Sequence, residues 1–202
     1  MRLVDAKTAL LTRLFDHAPM FPPANMELAD AIAEDERAQA SPDVWLLGRF
    51  VVPEGIEAEG RELAVVGGGM ERQGDAVYVK GVSKIRCGGA SIPTVEELAG
   101  FVRDCRARAI VFKATAGLHH AYPTAAGEHG FLNLLAAAVF GDEEDALRAP
   151  PGSFALDAES FRWHDRAAGA NELARVRERL LHSIGSCSFF EPVGELHGLG
   201  IL

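Results

Sequence analysis

The chain has 202 residues, 48% of them hydrophobic and 24% charged. That is the balance of a globular protein whose length fits one domain over 1–202 and buries roughly 70% of its unfolded surface without disulfides. A formal net charge of -9 argues against nucleic acid or an anionic membrane as partner, because both reward a basic surface. The three cysteines, Cys87, Cys105 and Cys187, are widely spaced and lack a CxxC pair. They read as free thiols in a reducing cytoplasm rather than a disulfide framework or zinc knuckle.

Leu3, Leu10, Leu11, Leu14 and Phe15 recur at helical spacing, which predicts a helix over 3–17. Its charges run throughout, unlike a signal peptide. Pro19, Pro22 and Pro23 impose a loop, and Asn25 is placed to cap a helix over 26–39. Residues 44–52 (VWLLGRFVV) form an apolar run typical of a strand buried on both faces. A short strand over 63–66 and a turn at Gly67, Gly68 and Gly69 follow, then a strand-like stretch over 76–86 broken at Gly81. Thr94 with Glu97 three residues on is a capping box, predicting a helix over 94–108. The strand 109–114 comes next, so strand, glycine turn, helix and strand make a βαβ unit with parallel strands.

Helices are expected over 126–140 and 171–184, a weak strand over 153–156, and a short strand plus closing helix in the tail. The longest apolar stretch, 131–140, is interrupted by Asn133 and falls far short of the roughly 20 residues of a membrane span. The alternation favours an α/β fold: a reduced or incomplete barrel-like parallel sheet, shorter than the ~250 residues of a full eight-unit barrel. Its uncovered strand edges suggest completion by a second subunit, so a homo-oligomer is expected.

Strand residues two apart share a face. Lys84 and Arg86, Lys113, and Arg49 therefore point sideways out of apolar strands. If those faces line one interior, four cations converge into a receptor for carboxylate or phosphate; otherwise each pairs with a carboxylate or lies exposed. Lys113 is the sharpest candidate: an apolar setting and a neighbouring cation lower a lysine pKa, and a neutral amine attacks carbonyls to form a Schiff base. The loop after it carries His119, His120 and His129, which suit acid/base work, metal ligation or structure. Asn133 lies four residues beyond His129, where a helix would let it orient that ring. Asp16, just before the Phe21–Pro23 loop, reads as a site residue or a helix end, and Glu191 follows a stretch that either completes the site or is a C-terminal turn. Gly88 and Gly89 match no phosphate-loop pattern, and Cys187 sits in a polar strand end with Ser186 and Ser188.

The segments FDHAPMFPPA (15–24), LLGRFVVP (46–53), KIRCGG (84–89), FKATAGLHH (112–120), HGFLNLLAAA (129–138) and GSCSFFEPV (185–193) together resemble a family of uncharacterised bacterial proteins of barrel-like α/β character. The resemblance implies that fold, assigns no reaction, and makes the stretch 53–80 shorter than in the family. Locally, FKATAG (112–117), with Thr115 two residues after Lys113, is similar to the lysine segment of deoxyribose-phosphate-type class I aldolases. That implies a Schiff-base lysine at Lys113 with Lys84 as the second lysine.

The expected function is thus a cofactor-free, metal-free cytoplasmic lyase or isomerase acting on a small anionic carbonyl substrate. Lys113, Lys84, His119, His120 and His129 would be catalytic, and Arg49, Arg86, Thr115, Asn133, Glu191 and Asp16 would bind substrate. The alternatives are a metal-dependent enzyme with His119, His120 and His129 as ligands, and a non-catalytic binding or assembly protein on a degenerate barrel.

Overall fold

The computed structural model describes residues 4–89 and 92–202; Leu3 of the first expected helix lies outside them. The elements run α1 (Ala6–Leu11), β1 (Phe15–His17), α2 (Leu28–Gln39), a single 3-10 turn (Val44–Leu46), β2 (Leu47–Pro53), β3 (Leu63–Gly67), β4 (Met70–Gln73), β5 (Ala76–Val79), β6 (Lys84–Arg86), α3 (Val95–Ala107), β7 (Phe112–Thr115), α4 (Phe131–Phe140), α5 (Glu143–Arg148), β8 (Phe154–Leu156), β9 (Ser160–Trp163), β10 (Arg166–Gly169), α6 (Ala170–Arg179), β11 (Leu181–Ser186) and α7 (Phe190–Gly198).

Eight strands form one sheet in the order β5-β4-β3-β2-β1-β11-β7-β6. Pairing is parallel from β3 through β6 and antiparallel only in the β3-β4-β5 meander. The sheet curls until its two end strands meet, and a single bridge, Lys80 to Lys84, spans the seam between them. The result is a nearly closed barrel flanked by helices. The predicted βαβ unit is present as β6-α3-β7 in parallel register, and the Thr94–Glu97 capping box forms at the start of α3.

The strand pattern decides what lies inside. In β7, Phe112 and Ala114 face outward into the main core with Leu98, Val102, Phe131, Leu135 and Ile184. Lys113, one residue out of phase, faces inward and is fully buried. The apolar core therefore sits between sheet and helices, while the barrel interior holds Asp16, Glu71, Gln73, Lys113 and Ser183, all buried. A three-stranded antiparallel sheet, β10-β9-β8, lies apart from the barrel. It is fastened by an aromatic group in which Phe140, Phe154, Phe161 and Trp163 have ring centroids 5.5–6.0 Å apart.

Several boundaries differ from the sequence expectations. The first helix ends at Leu11 and the chain turns through Arg13 at φ 52. Residues 15–17 then form the strand β1, so Asp16 stands in the sheet. Asn25 lies outside α2 in a left-handed conformation, and Glu27 occupies the cap position. The helix expected over 126–140 begins only at Phe131. The helix expected over 171–184 stops at Arg179, and residues 181–186 form the parallel strand β11 next to β1. The strands β4, β9 and β10 were not expected. Among the described residues no helix is long and apolar enough to cross a membrane.

Candidate functional site

At the carboxyl ends of the parallel strands lies a cavity of about 200 Å³. Ala18, Val51, Val66, Thr115, Gly185 and Cys187 border it where their strands finish, Phe21 and Pro22 form part of its apolar wall, and Glu71 and Lys113 line it from the barrel interior. Lys80, Lys84 and Arg86 are also in its wall. This is the end of a parallel barrel where side chains from many strands converge on one space.

The site is an alternating chain of charges. Lys113 Nζ donates to Asp16 Oδ2 at 2.6 Å and to Glu71 Oε1. Lys84 Nζ meets Glu71 Oε2 at 2.6 Å, an ion pair that approaches outside hydrogen-bond geometry. Strand register explains why the lysines are neighbours: Lys84 pairs with Lys113, and Lys113 with Ser183. Glu71 comes from the opposite side. Its strand β4 is second in the sheet and β7 is seventh, so the two meet only across the interior of a curled sheet.

A polar layer fixes the carboxylates. Asp16 Oδ1 accepts the Arg49 backbone N–H at 2.6 Å, and Oδ2 accepts the Ser183 hydroxyl at 2.7 Å. Gln73 Nε2 donates to Asp16 Oδ2 at 3.0 Å and to Glu71 Oε1 at 2.8 Å. Gln73 Oε1 accepts from Arg49 Nη1 at 3.0 Å and from His182 Nε2 at 3.1 Å. Both amide hydrogens face carboxylates, so the amide orientation is set and His182 carries its proton on Nε2. The His182 ring stacks on Tyr78 with centroids 5.5 Å apart. Gly48 allows this layer to close, since a Cβ there would lie 2.1 Å from Asp16 Oδ1.

The electrostatics correct the expectation of a neutral lysine. Burial alone would lower the Lys113 pKa, but the charges of Asp16 and Glu71 and their hydrogen bonds outweigh it and raise the pKa above its usual value. Burial likewise works against Asp16 and Glu71. The Lys113 charge and the hydrogen bonds prevail, aided by Lys84 at Glu71, and both carboxyls are held below their usual range. Burial, reinforced by the Asp16 charge, pushes Tyr78 up to about 12. Burial lowers His182, the nearby Asp16 charge notwithstanding. At neutral pH Asp16, Lys113 and Glu71 are therefore all held in their charged forms.

The other expected site residues divide. Arg86 lines the cavity and spends its Nε–H on the Gly88 carbonyl at 2.8 Å. Among the described residues no carboxylate lies within salt-bridge distance of Arg86. Thr115 lines the cavity and donates to the Ile85 carbonyl at 3.3 Å. Arg49 does not join the other cations; its guanidinium contacts Gln73 and, at 3.7 Å, Glu62.

The three histidines are not one cluster. His119 Nδ1 meets Glu191 at 2.8 Å. His120, about half exposed, meets Glu195 at 3.3 Å. His129 Nε2 donates to the Pro93 carbonyl at 2.8 Å, which makes it a loop anchor. Since α4 starts after His129, Asn133 cannot orient that ring. Its Nδ2 caps the end of α5 through the carbonyls of Ala146 at 2.8 Å and Ala149 at 2.9 Å. Among the described residues no group of three or more His, Cys, Asp and Glu side chains is arranged to hold a metal ion.

Glu71, Gln73, Tyr78, His182 and Ser183 are the site residues that the sequence reading missed. The signal for two of them was present: Glu71 and Gln73 are two apart in MERQ, hence on one face of a strand. In comparisons with known proteins, no family model, no curated protein and no solved structure matches the chain.

Proposed function

We propose that the chain is a small-molecule enzyme acting on an anionic, carbonyl-bearing substrate, and that the Lys113 ammonium delivers a proton in a lyase or isomerase reaction. One observation carries the reading: a fully buried lysine at the floor of a small cavity, bridged by two carboxylates, with Lys84 and Arg86 beside it. A cavity near 200 Å³ is below the usual range for drug-sized ligands and suits a metabolite of few atoms. Lys84 and Arg86 supply point-charge and forked recognition of its carboxylate or phosphate.

A lysine whose acidity is weakened by two carboxylates is a poor resting nucleophile and a poor donor to weak bases. It matches a strongly basic acceptor, such as an enolate or a carbanion formed by loss of a carboxylate or by carbon–carbon cleavage. Asp16 and Glu71 hold Nζ in place and keep it charged until that base appears. A Schiff base at Lys113 is the second reading, favoured by the same contacts: either carboxylate is in position to take the Nζ proton as a carbonyl arrives.

The test is incubation with pyruvate, oxaloacetate, glyoxylate and glyceraldehyde 3-phosphate in D2O, followed by NMR and by borohydride reduction with peptide mapping. Deuterium incorporation or decarboxylation without a lysine adduct supports the proton donor. A reduced adduct on Lys113 supports the imine. If no probe turns over or forms an adduct, the enzyme reading is withdrawn; if Lys113→Gln retains full turnover, the role given to Lys113 is withdrawn.

A further inference from the structure

We propose that Cys187, His119 and Glu191 form a second reactive centre, in which the Cys187 thiol adds reversibly to an aldehyde carbonyl with His119 as its base. The centre shares a wall with the Lys113 cavity but uses none of Asp16, Glu71, Lys84 and Lys113, so it stands or falls separately from the function proposed above.

Cys187 leaves the end of β11 just before α7, and His119 lies in the loop after β7. Cys187 Sγ is 3.8 Å from His119 Nε2, and His119 Nδ1 is 2.8 Å from Glu191 Oε2 and 3.2 Å from Ser186 Oγ. The Ser186 hydroxyl hydrogen is already given to the Ser188 carbonyl at 2.7 Å, so Ser186 Oγ presents an acceptor at Nδ1, while the Glu191 carboxylate is close to the same nitrogen but outside hydrogen-bond geometry. Nδ1 therefore carries the hydrogen, and Nε2 turns a bare lone pair toward the thiol. Nucleophile and base are thus in sequence, with a carboxylate beside the base to stabilise its charged form.

Access and electrostatics agree with that role. Cys187 is partly exposed, whereas Cys87 and Cys105 are buried. It borders both the cavity and an outer groove lined by His119, Phe190 and Glu191. Burial, followed by the Glu191 charge, raises the thiol pKa; Glu34 from α2 adds to this, while the backbone N–H groups of Ala24 and Cys187 oppose it. The resting group is a protonated thiol, which needs a base at the moment of attack. In the step, the thiol proton passes to Nε2 and Sγ bonds to the carbonyl carbon. The π electrons move to oxygen, which takes the proton back from the imidazolium. Nothing leaves, no oxidant is required, and the hemithioacetal reverts on dilution.

The test is iodoacetamide labelling of the full chain from pH 6 to 9, read by mass spectrometry at each cysteine, with glyoxylate as the competing aldehyde. Cys187 should label fastest, and glyoxylate should slow its labelling in a manner reversed by dilution. His119→Gln should slow it about a hundredfold at pH 7, the low end for loss of a general base, and shift its rate profile to higher pH. Protection of Cys87 and Cys105 reports that the fold is intact. If they become labelled, Glu191→Gln, an exposed change, replaces that variant and should slow Cys187 severalfold with the same upward shift. Unchanged Cys187 rates in the folded variant, or no effect of glyoxylate, overturn the proposal.

Discussion

Replacing Lys113 with Met removes the cation from between two buried carboxylates and keeps the side-chain volume. Asp16 and Glu71 are 1% and 0% exposed, so neither regains water. Removing one partner of a buried ion pair costs about 3–5 kcal/mol, and Lys84 offsets the loss only at Glu71. For a chain of this size that is a fall in Tm of roughly 6–20 °C.

The pH dependence should change sign. In the native protein both carboxyls are held below their unfolded values of 3.8 and 4.5. The stability they contribute is fully present above those values and is lost only as pH falls through the lowered ones, so it is flat between pH 7 and 5. The raised Lys113 contributes fully below its unfolded 10.5 and is lost only as pH climbs through the higher folded value. In the variant, Lys84 beside Glu71 and the Arg49 and Ser183 hydrogen bonds to Asp16 still oppose burial, but burial is the largest single effect at both carboxyls and pushes at least one of them above its unfolded value. The folded state then binds more protons than the unfolded one, and stability rises as pH falls from that raised value, by at most about 1.4 kcal/mol per unit and per proton. Urea melts at pH 7 and pH 5 measure both effects. A loss under about 1 kcal/mol with a native-like pH slope would refute the buried charge chain.

Asn133→Ala should destabilise by about 1–3 kcal/mol, because the α5 carbonyls lose a buried donor, while turnover per folded molecule, once a substrate is found, stays unchanged. Gly48→Ala should destabilise by at least about 1–3 kcal/mol through overpacking against Asp16, and a crystal structure should show the Asp16–Arg49 contact displaced. Of the tyrosines Tyr78 and Tyr122, ultraviolet titration should show Tyr78 ionising near 12. Because its folded value is raised, the stability tied to it is lost as pH rises past the unfolded value of 10. Ionisation of Tyr78 near that value would contradict the packed Tyr78–His182 layer.

The sequence carried the periodic signals well. Helix α3 had its capping box, β7 its apolar run, and Lys84, Arg86 and Lys113 their inward phase, so three cation positions of the cavity were legible. The rest was set by tertiary context. β1 and β11 are short strands attached to helical patterns, and burial between neighbouring strands overrode local periodicity in Phe15–His17 and Leu181–Ser186. The carboxylate partners of Lys113 are 97 and 42 residues away, and only the curl of the sheet reveals them. Without those partners an apolar setting and a neighbouring cation pointed to a lowered lysine pKa, and the two carboxylates reverse the sign.

The contact between β4 and β7 also has a meaning for the order of folding. Strands β4 and β7 share this ammonium bridge only once the sheet has curled and its end strands β5 and β6 have met, so the charge chain acts as a latch on closure of the barrel. Contacts that form after the transition state govern escape from the native state rather than entry into it. Conservative changes such as Glu71→Gln should accordingly steepen the loss of the folded form through faster unfolding while leaving the refolding rate nearly unchanged, with φ-values near zero at these positions in a chevron measurement.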